Sequence, residues 1–242
     1  MSAKDRLIVA LDVATLAEEE KALRELGGTV SFFKVGNQLF TTAGPRAVEA
    51  IKKTGARVFL DLKYHDIPNT VERTAQSACD LGVDLFNVHA LGGFEMMECA
   101  AKAVWNWSEE KGRPGPKILG VTVLTSLSEA SLKDVMGETN RTLEEEVLML
   151  ARMASSAGLD GVVASPEEIV PIKEACGKEF IVLTPGVRPQ GSEMGDQKRV
   201  LTPGEAIRRG ADYLVVGRPI LSALNPREAA GAILKEMEDA GA

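Results

Sequence analysis

Eight short apolar runs, each followed by a longer amphipathic stretch, recur through the 242 residues and narrow the possible folds more than any other feature. The runs cover residues 6–13, 31–36, 57–63, 85–90, 117–125, 161–165, 180–187 and 213–217. Most are continuously apolar in their middles (LIVAL, RVFLDL, YLVV), as expected of parallel strands covered on both faces. The stretches between them carry helix signals. Thr15 with Glu18, Thr142 with Glu145, Ser165 with Glu168 and Thr202 with Glu205 have capping-box spacing. Pro166, Pro203 and Pro226 each follow a potential N-cap, and Gly27, Gly55, Gly82, Gly158, Gly177 and Gly210 sit where helices should stop. Eight such units of about 30 residues match the length of an α/β (β/α)₈ TIM barrel. No linker-like segment divides the chain, so one domain over residues 1–242 is expected. An open doubly wound sheet also alternates strand and helix, but its G-x-G-x-x-G mark is absent.

Composition excludes several classes of function. Lys and Arg total 28 against 35 Asp and Glu, a net charge of -7 with no basic block, which disfavours a nucleic-acid backbone as partner. No run of about 18 apolar residues is present to span a membrane, and Asp12 interrupts the first apolar run before a signal-peptide core could form. Cys79, Cys99 and Cys176 are odd in number and widely spaced, which reads as buried thiols in a reducing cytoplasm, neither a disulfide framework nor a zinc site.

In a barrel of this kind the chemistry sits at the C-terminal ends of the strands. There the sequence places charges: Asp12 after the first run, Lys34 in the second, and Asp61-Leu62-Lys63-Tyr64-His65-Asp66 closing the third. Asp61 and Lys63 are two apart, so a regular strand points both to one face. Charged groups are almost never fully buried unpaired, so four converging at strand ends imply mutual pairing, a ligand, or both. A salt-bridge network that only fixes register is the competing explanation. Gly217-Arg218, after the eighth run, is placed where barrels commonly bind phosphate. Residues 185–201 are rich in Gly, Pro and polar side chains, the profile of an active-site lid. His65 and His89 read first as packing or hydrogen-bonding groups, Gly92-Gly93 as a turn and cap, and Trp105 and Trp107 as outer-helix residues.

The segment FLDLKYHDIPNTV resembles the D-x-K-x-x-D-I-P-x-T signature of the orotidine 5′-phosphate decarboxylases, and IVALDV, FFKVG, LTPGVRP and YLVVGRPI extend the resemblance along the chain. The resemblance implies conversion of orotidine 5′-monophosphate to UMP and CO₂ without metal or organic cofactor. It implies Lys63 as proton donor in an alternating array with Lys34, Asp61 and Asp66. Lys34 would also contact the ribose, Asp61 would face the substrate carboxylate, and Asp12 would bind the nucleoside. Thr125, with Ser126 beside it, would meet the pyrimidine edge, although Ser126 could equally cap the next helix with Glu129. Pro185, Arg188, Gln197, Gly217 and Arg218 would form the phosphate end. Asp66, Ile67 and Thr70 would serve the neighbouring subunit's site in a homodimer, and the chain's two ends suggest a free-standing enzyme. Related barrels use Mg²⁺ on sugar phosphates but carry an acidic ligand on strand 2, where this chain has Lys34. A catalytically silent phosphate-binding barrel would be expected to lose one of the paired charges.

Overall fold

The computed structural model describes residues 1–137, 140–189 and 201–242. Among them, eight parallel strands close into a barrel in chain order: β1 (Leu7–Ala10), β2 (Phe32–Gly36), β3 (Arg57–Tyr64), β4 (Leu85–His89), β5 (Lys117–Val121), β6 (Gly161–Val163), β7 (Ile181–Pro185) and β8 (Tyr213–Val216). Helices occupy the connections, so the (β/α)₈ expectation holds and the open sheet does not. Each strand lies within its expected run except β3, which continues one residue to Tyr64. Most runs overshoot because ladder pairing stops where the chain turns outward at the barrel mouth, while the apolar composition continues.

The period of two along each strand explains the unbroken apolar runs. Leu7, Val9, Phe33, Val35, Val58, Leu60, Phe86 and Val88 face outward and are buried with the helices. Ile8, Ala10, Phe32, Phe59, Leu85, Leu119, Leu183, Tyr213 and Val215 face inward and fill the barrel. Tyr213 meets Phe32 edge-on at 5.9 Å, and the Arg57 guanidinium lies 4.4 Å from the Phe32 ring centre. These three residues stand at strand starts and close the N-terminal end. Each large side chain buried this way contributes about 1.5–3 kcal/mol. Two residues further along the inward-facing series, Phe32 gives way to Lys34, Phe59 to Asp61, Leu85 to Asn87, and Ala10 to Asp12. The interior therefore changes from apolar to charged at one level.

Helix starts follow the local chemistry. The Thr15–Glu18, Thr142–Glu145 and Thr202–Glu205 boxes are formed in both directions. The Ser165–Glu168 box is half formed: the Ser165 N–H donates to Glu168 Oε2 at 2.8 Å, while the buried Ser165 Oγ has no hydrogen-bond partner among the described residues. Before the helix Glu129–Met136 the cap is Ser128, which accepts from the Ser131 N–H, so the Ser126–Glu129 cap is not the one used. Cys79 is buried, whereas Cys99 and Cys176 are only half-buried, which corrects the expectation of three buried thiols. Trp107 is buried and donates to Asp80, whereas Trp105 stands exposed on the same helix.

Glu19, on the helix Leu16–Leu26, is fully buried and neither carboxylate oxygen has a partner among the described residues. Burial, then the neighbouring Glu20, pushes its pKa up to about 7. An unfolded chain releases this proton near 4.5, so stability is complete below that pH and falls as pH rises through 7. The loss is on the order of 3 kcal/mol at most. Glu19→Met should raise the urea midpoint at pH 8 more than at pH 5, and equal gains at both would show that Glu19 does not titrate in this way.

Candidate active site

At the level where the interior turns polar, three strands bring four charges together. Lys34 Nζ lies 3.2 Å from Asp61 Oδ2 and 3.3 Å from Asp12 Oδ1. Lys63 Nζ lies 2.7 Å from Asp61 Oδ1, which also accepts a hydrogen bond from Asn87 Nδ2 at 2.7 Å. Asp61 and Lys34 are largely buried, with 13% and 11% of their side chains exposed, while Asp12 opens to the mouth. Two glycines leave room for the cluster. A Cβ at Gly36 would lie 3.0 Å from Lys34 Nζ, and one at Gly217 would lie 3.2 Å from Asp12 Oδ2.

The electrostatics are those of a self-compensating array. Burial acts to raise Asp61, but Lys34, then Lys63, and hydrogen bonds from Lys63 and Asn87 hold its pKa below the usual carboxylate range. Burial likewise acts to lower Lys34, and Asp61 followed by Asp12 more than offsets it, leaving its pKa raised. The charged forms therefore depend on one another.

The third strand does not run regularly to its end. Leu60 pairs with Phe86 and Tyr64 with Val88, so Asp61, Leu62 and Lys63 stand opposite Asn87 alone. Lys63 has φ 52, the one left-handed non-glycine among the described residues. The Lys63 N–H donates to Asn87 Oδ1 at 2.8 Å in place of a ladder carbonyl. Simple alternation is thus replaced by a bulge, although Lys63 Nζ still reaches Asp61. His65 leaves the array and stacks on His89, with ring centres 5.2 Å apart. His89 Nδ1 accepts from the Leu91 N–H at 3.4 Å, and burial, then His65 and Lys63, lowers its pKa to about 4. Its place as a neutral cap agrees with the hydrogen-bonding reading.

A cavity of about 170 Å³ opens beside the charges. Lys34, Asp61 and Lys63 form one wall; Val121, Val123, Leu124, Val163, Leu183 and Val215 form an apolar wall opposite. Thr125 and Pro185 also line it, Thr125 from a turn four residues beyond the end of β5. Arg218 is exposed, following Gly217 past the end of β8. Arg188 is half-buried, and its N–H donates to the Leu201 carbonyl at 3.0 Å, joining the two ends of the expected lid. Gln197 and residues 190–200 lie outside the described residues. Asp66, Ile67 and Thr70 are exposed at the rim, where Asp66 Oδ1 accepts the Ile67 N–H at 2.7 Å. Asp66 is thus held at the rim, apart from the Lys34–Asp61–Lys63 cluster. Asn87 was not singled out from sequence; its one signal is a polar residue two positions after inward-facing Leu85.

This is a (β/α)₈ barrel with a charged site beside a cavity at the C-terminal ends of its strands. The chain belongs to the family described as orotidine 5′-phosphate decarboxylase / HUMPS, whose model matches residues 5–233. A relative from Moorella thermoacetica named orotidine 5′-phosphate decarboxylase is 55% identical over 98% of this chain and 94% of its own. One of the same name from Syntrophotalea carbinolica is 53% identical over 98% and 96%. The crystal structure of orotidine 5′-phosphate decarboxylase from Lactobacillus acidophilus superposes with a TM-score of 0.83 at 38% identity, covering 96% of this chain and 98% of that one.

Removing one partner from a buried charge group leaves the other uncompensated, at a cost of about 3–5 kcal/mol. Lys34→Met should lower stability by that order in urea titration, and adding Asp61→Asn should restore part of the loss. Strict additivity of the two changes would show that Lys34 and Asp61 are not coupled.

Proposed function

We propose that the chain decarboxylates orotidine 5′-monophosphate to UMP and CO₂ in pyrimidine biosynthesis, with neither metal nor organic cofactor. The observation that carries the reading is a buried carboxylate, Asp61, clamped between two ammonium groups beside an apolar wall. As the bond from C6 to the carboxyl carbon breaks, its electron pair stays on C6. Lys63 stabilises that charge and gives C6 a proton, and its neutral amine is then reprotonated from solvent. Two unit charges 4 Å apart interact by about 4 kcal/mol at an effective dielectric near 20, so Lys63 is useful but insufficient alone. The apolar wall strengthens it by excluding water. Asp61 faces the substrate carboxylate, Lys34 the ribose and Asp12 the nucleoside. Thr125 meets the pyrimidine edge.

The phosphate supplies remote binding energy that lowers the barrier at C6. Gly217, Arg218, Arg188, Pro185 and Gln197 form that end, and Arg218 brings a planar fork suited to phosphate oxygens. Asp66, Ile67 and Thr70 complete the site of a second copy in a homodimer. Asp66 held at the rim and an Ile67 that is 65% exposed support that sharing. Cytoplasmic placement belongs to the same proposal and rests on the three free thiols. A Mg²⁺-dependent sugar-phosphate reaction fits less well, because the Lys34 ammonium sits between Asp12 and Asp61 and would repel a divalent cation.

Ultraviolet monitoring of purified protein with orotidine 5′-monophosphate should show conversion to UMP unchanged by a strong chelator. Loss on chelation would overturn the metal-free account, and no conversion at all would overturn the substrate. Lys63→Ala should cut kcat by on the order of 10³ or more while leaving phosphate-derived affinity. Arg218→Ala should instead raise KM about 10- to 100-fold, as expected for losing a charged hydrogen bond. Mixing the inactive Lys63→Ala and Asp66→Ala chains should restore activity through hybrid dimers. No recovery after verified subunit exchange would exclude shared sites.

A further inference from the structure

We propose that Asn87 is a positioning residue for this reaction: its single amide holds the Lys63 backbone and the Asp61 carboxylate in one fixed relation. The inference rests on the reading of Lys63 as proton donor given above. Three independent features of β3 and β4 lead to it.

The first is the gap in the ladder. Between the pairs Leu60–Phe86 and Tyr64–Val88, β3 has three residues and β4 has one. Extra residues on one strand break the regular exchange of backbone hydrogen bonds, and the Asn87 side chain fills the break. The second is strain. Lys63 at φ 52 occupies a region that costs a non-glycine residue energy and persists only where its surroundings fix it. The Lys63 N–H donates to Asn87 Oδ1 at 2.8 Å. The third is the far end of the same amide, which donates to Asp61 Oδ1 at 2.7 Å, the oxygen that also receives Lys63 Nζ at 2.7 Å.

The orientation of the amide is determined by its neighbours. The Lys63 N–H can only donate and an ionised Asp61 can only accept, so Oδ1 must face the first and Nδ2 the second. Asn87 is only 1% exposed, so water has little access to replace either bond. No other common side chain of this size donates and accepts in opposite directions without charge. Leucine has the volume and neither bond. Aspartate has the shape, but places a second carboxylate against Asp61. With the amide in place, the bulge, the left-handed Lys63 and the ionised Asp61 form a closed triangle of contacts. Lys63 Nζ is then held on Asp61 before any substrate arrives.

The charged and titratable groups around this triangle are Lys34 from β2, Lys63 from β3, Asp12 two residues past β1 and paired with Lys34, and His89 on β4 with His65 stacked on it. His89 carries a pKa lowered to about 4 and stays neutral above pH 5.

The experiment compares wild type, Asn87→Leu and Asn87→Asp in steady-state kinetics from pH 5 to 8. Wild-type turnover is the control: its absence would refute the decarboxylase reading, while normal wild-type turnover isolates the question of Asn87. Misplacement of a reacting group by about 1 Å can cost 10²-fold, so Asn87→Leu should lower kcat about 10- to 100-fold. KM should change by less than about threefold, because the phosphate contacts are untouched. Asn87→Asp should be equally impaired at pH 8 and recover toward pH 5, where a proton shared by the two carboxylates replaces the amide N–H. Asn87→Leu, lacking a titrating group, should show no such recovery. A crystal structure of either variant reads the placement without reference to activity, and Lys63 should leave its positive φ. Unchanged kcat, or Lys63 still at its wild-type φ and contact with Asp61, would overturn the inference. So would losses in kcat, KM and thermal stability together with no recovery in acid, which is the signature of a merely structural asparagine. If Asn87→Leu fails to fold, the near-isosteric Asn87→Asp carries the test alone.

Discussion

The Asp61 carboxylate is the constraint on which the rest of the site depends. It is buried where an isolated carboxylate would take up a proton, and it remains ionised because Lys34, Lys63 and Asn87 surround it. Lys34 depends on it in turn, since burial alone would lower its pKa. A buried ion pair of this kind seldom adds net stability, because desolvation offsets the attraction. What it supplies is definition: each ammonium has one low-energy place, and Lys63 Nζ occupies its place ahead of the substrate. Preorganised charge of this sort is the form of catalysis a static scaffold provides best.

The barrel is what makes the array possible. Parallel strands in register bring inward-facing positions of β1, β2, β3 and β4 to the same height, and the apolar layer of Phe32, Phe59 and Leu183 beneath keeps water out from below. Above that layer the side chains diverge in chemistry while the backbone stays regular, except at β3. Among the described residues the register shift between Leu60 and Tyr64 takes in Lys63, the residue whose placement matters most to the proposed reaction. The neutral His89 cap and the stacked His65 brace the ends of β3 and β4 outside the array.

How much of this was legible in the sequence depends on whether a feature is local. The eight strands and three of four capping boxes follow from periodicity and short-range chemistry, and the structure contains them. Lys34, Asp61 and Lys63 stood out because a charge inside an apolar run has few explanations. Asn87 did not, since a neutral amide in LFNVH is unremarkable until its two partners are known. The bulge was hidden for the same reason: nothing in DLKYH marks Lys63 as left-handed, and the conformation accompanies a hydrogen bond that its N–H donates to a side chain on another strand. Thr125 shows the opposite error. It was assigned to the end of a strand that stops at Val121, yet it still lines the cavity from a turn, because the chain runs on along the mouth.

The unliganded array has consequences for binding. With two carboxylates and two ammonium groups its formal charges cancel, so in the proposed reaction a substrate carboxylate brought against Asp61 would make three negative charges to two positive. That step is unfavourable at the reacting end and needs compensation elsewhere. The phosphate end is the proposed source, where Arg218 is exposed and Arg188 joins the ends of the connecting segment through Leu201. In the proposed reaction, loss of neutral CO₂ moves the extra negative charge from the carboxylate, against Asp61, to C6, beside Lys63, and the resting balance returns once Lys63 has protonated C6 and been reprotonated from solvent. The same charge arrangement therefore disfavours the bound acid and favours what it becomes, provided Lys63 cannot retreat. In the role proposed for Asn87, the left-handed Lys63 backbone that it accepts a hydrogen bond from is what would prevent that retreat.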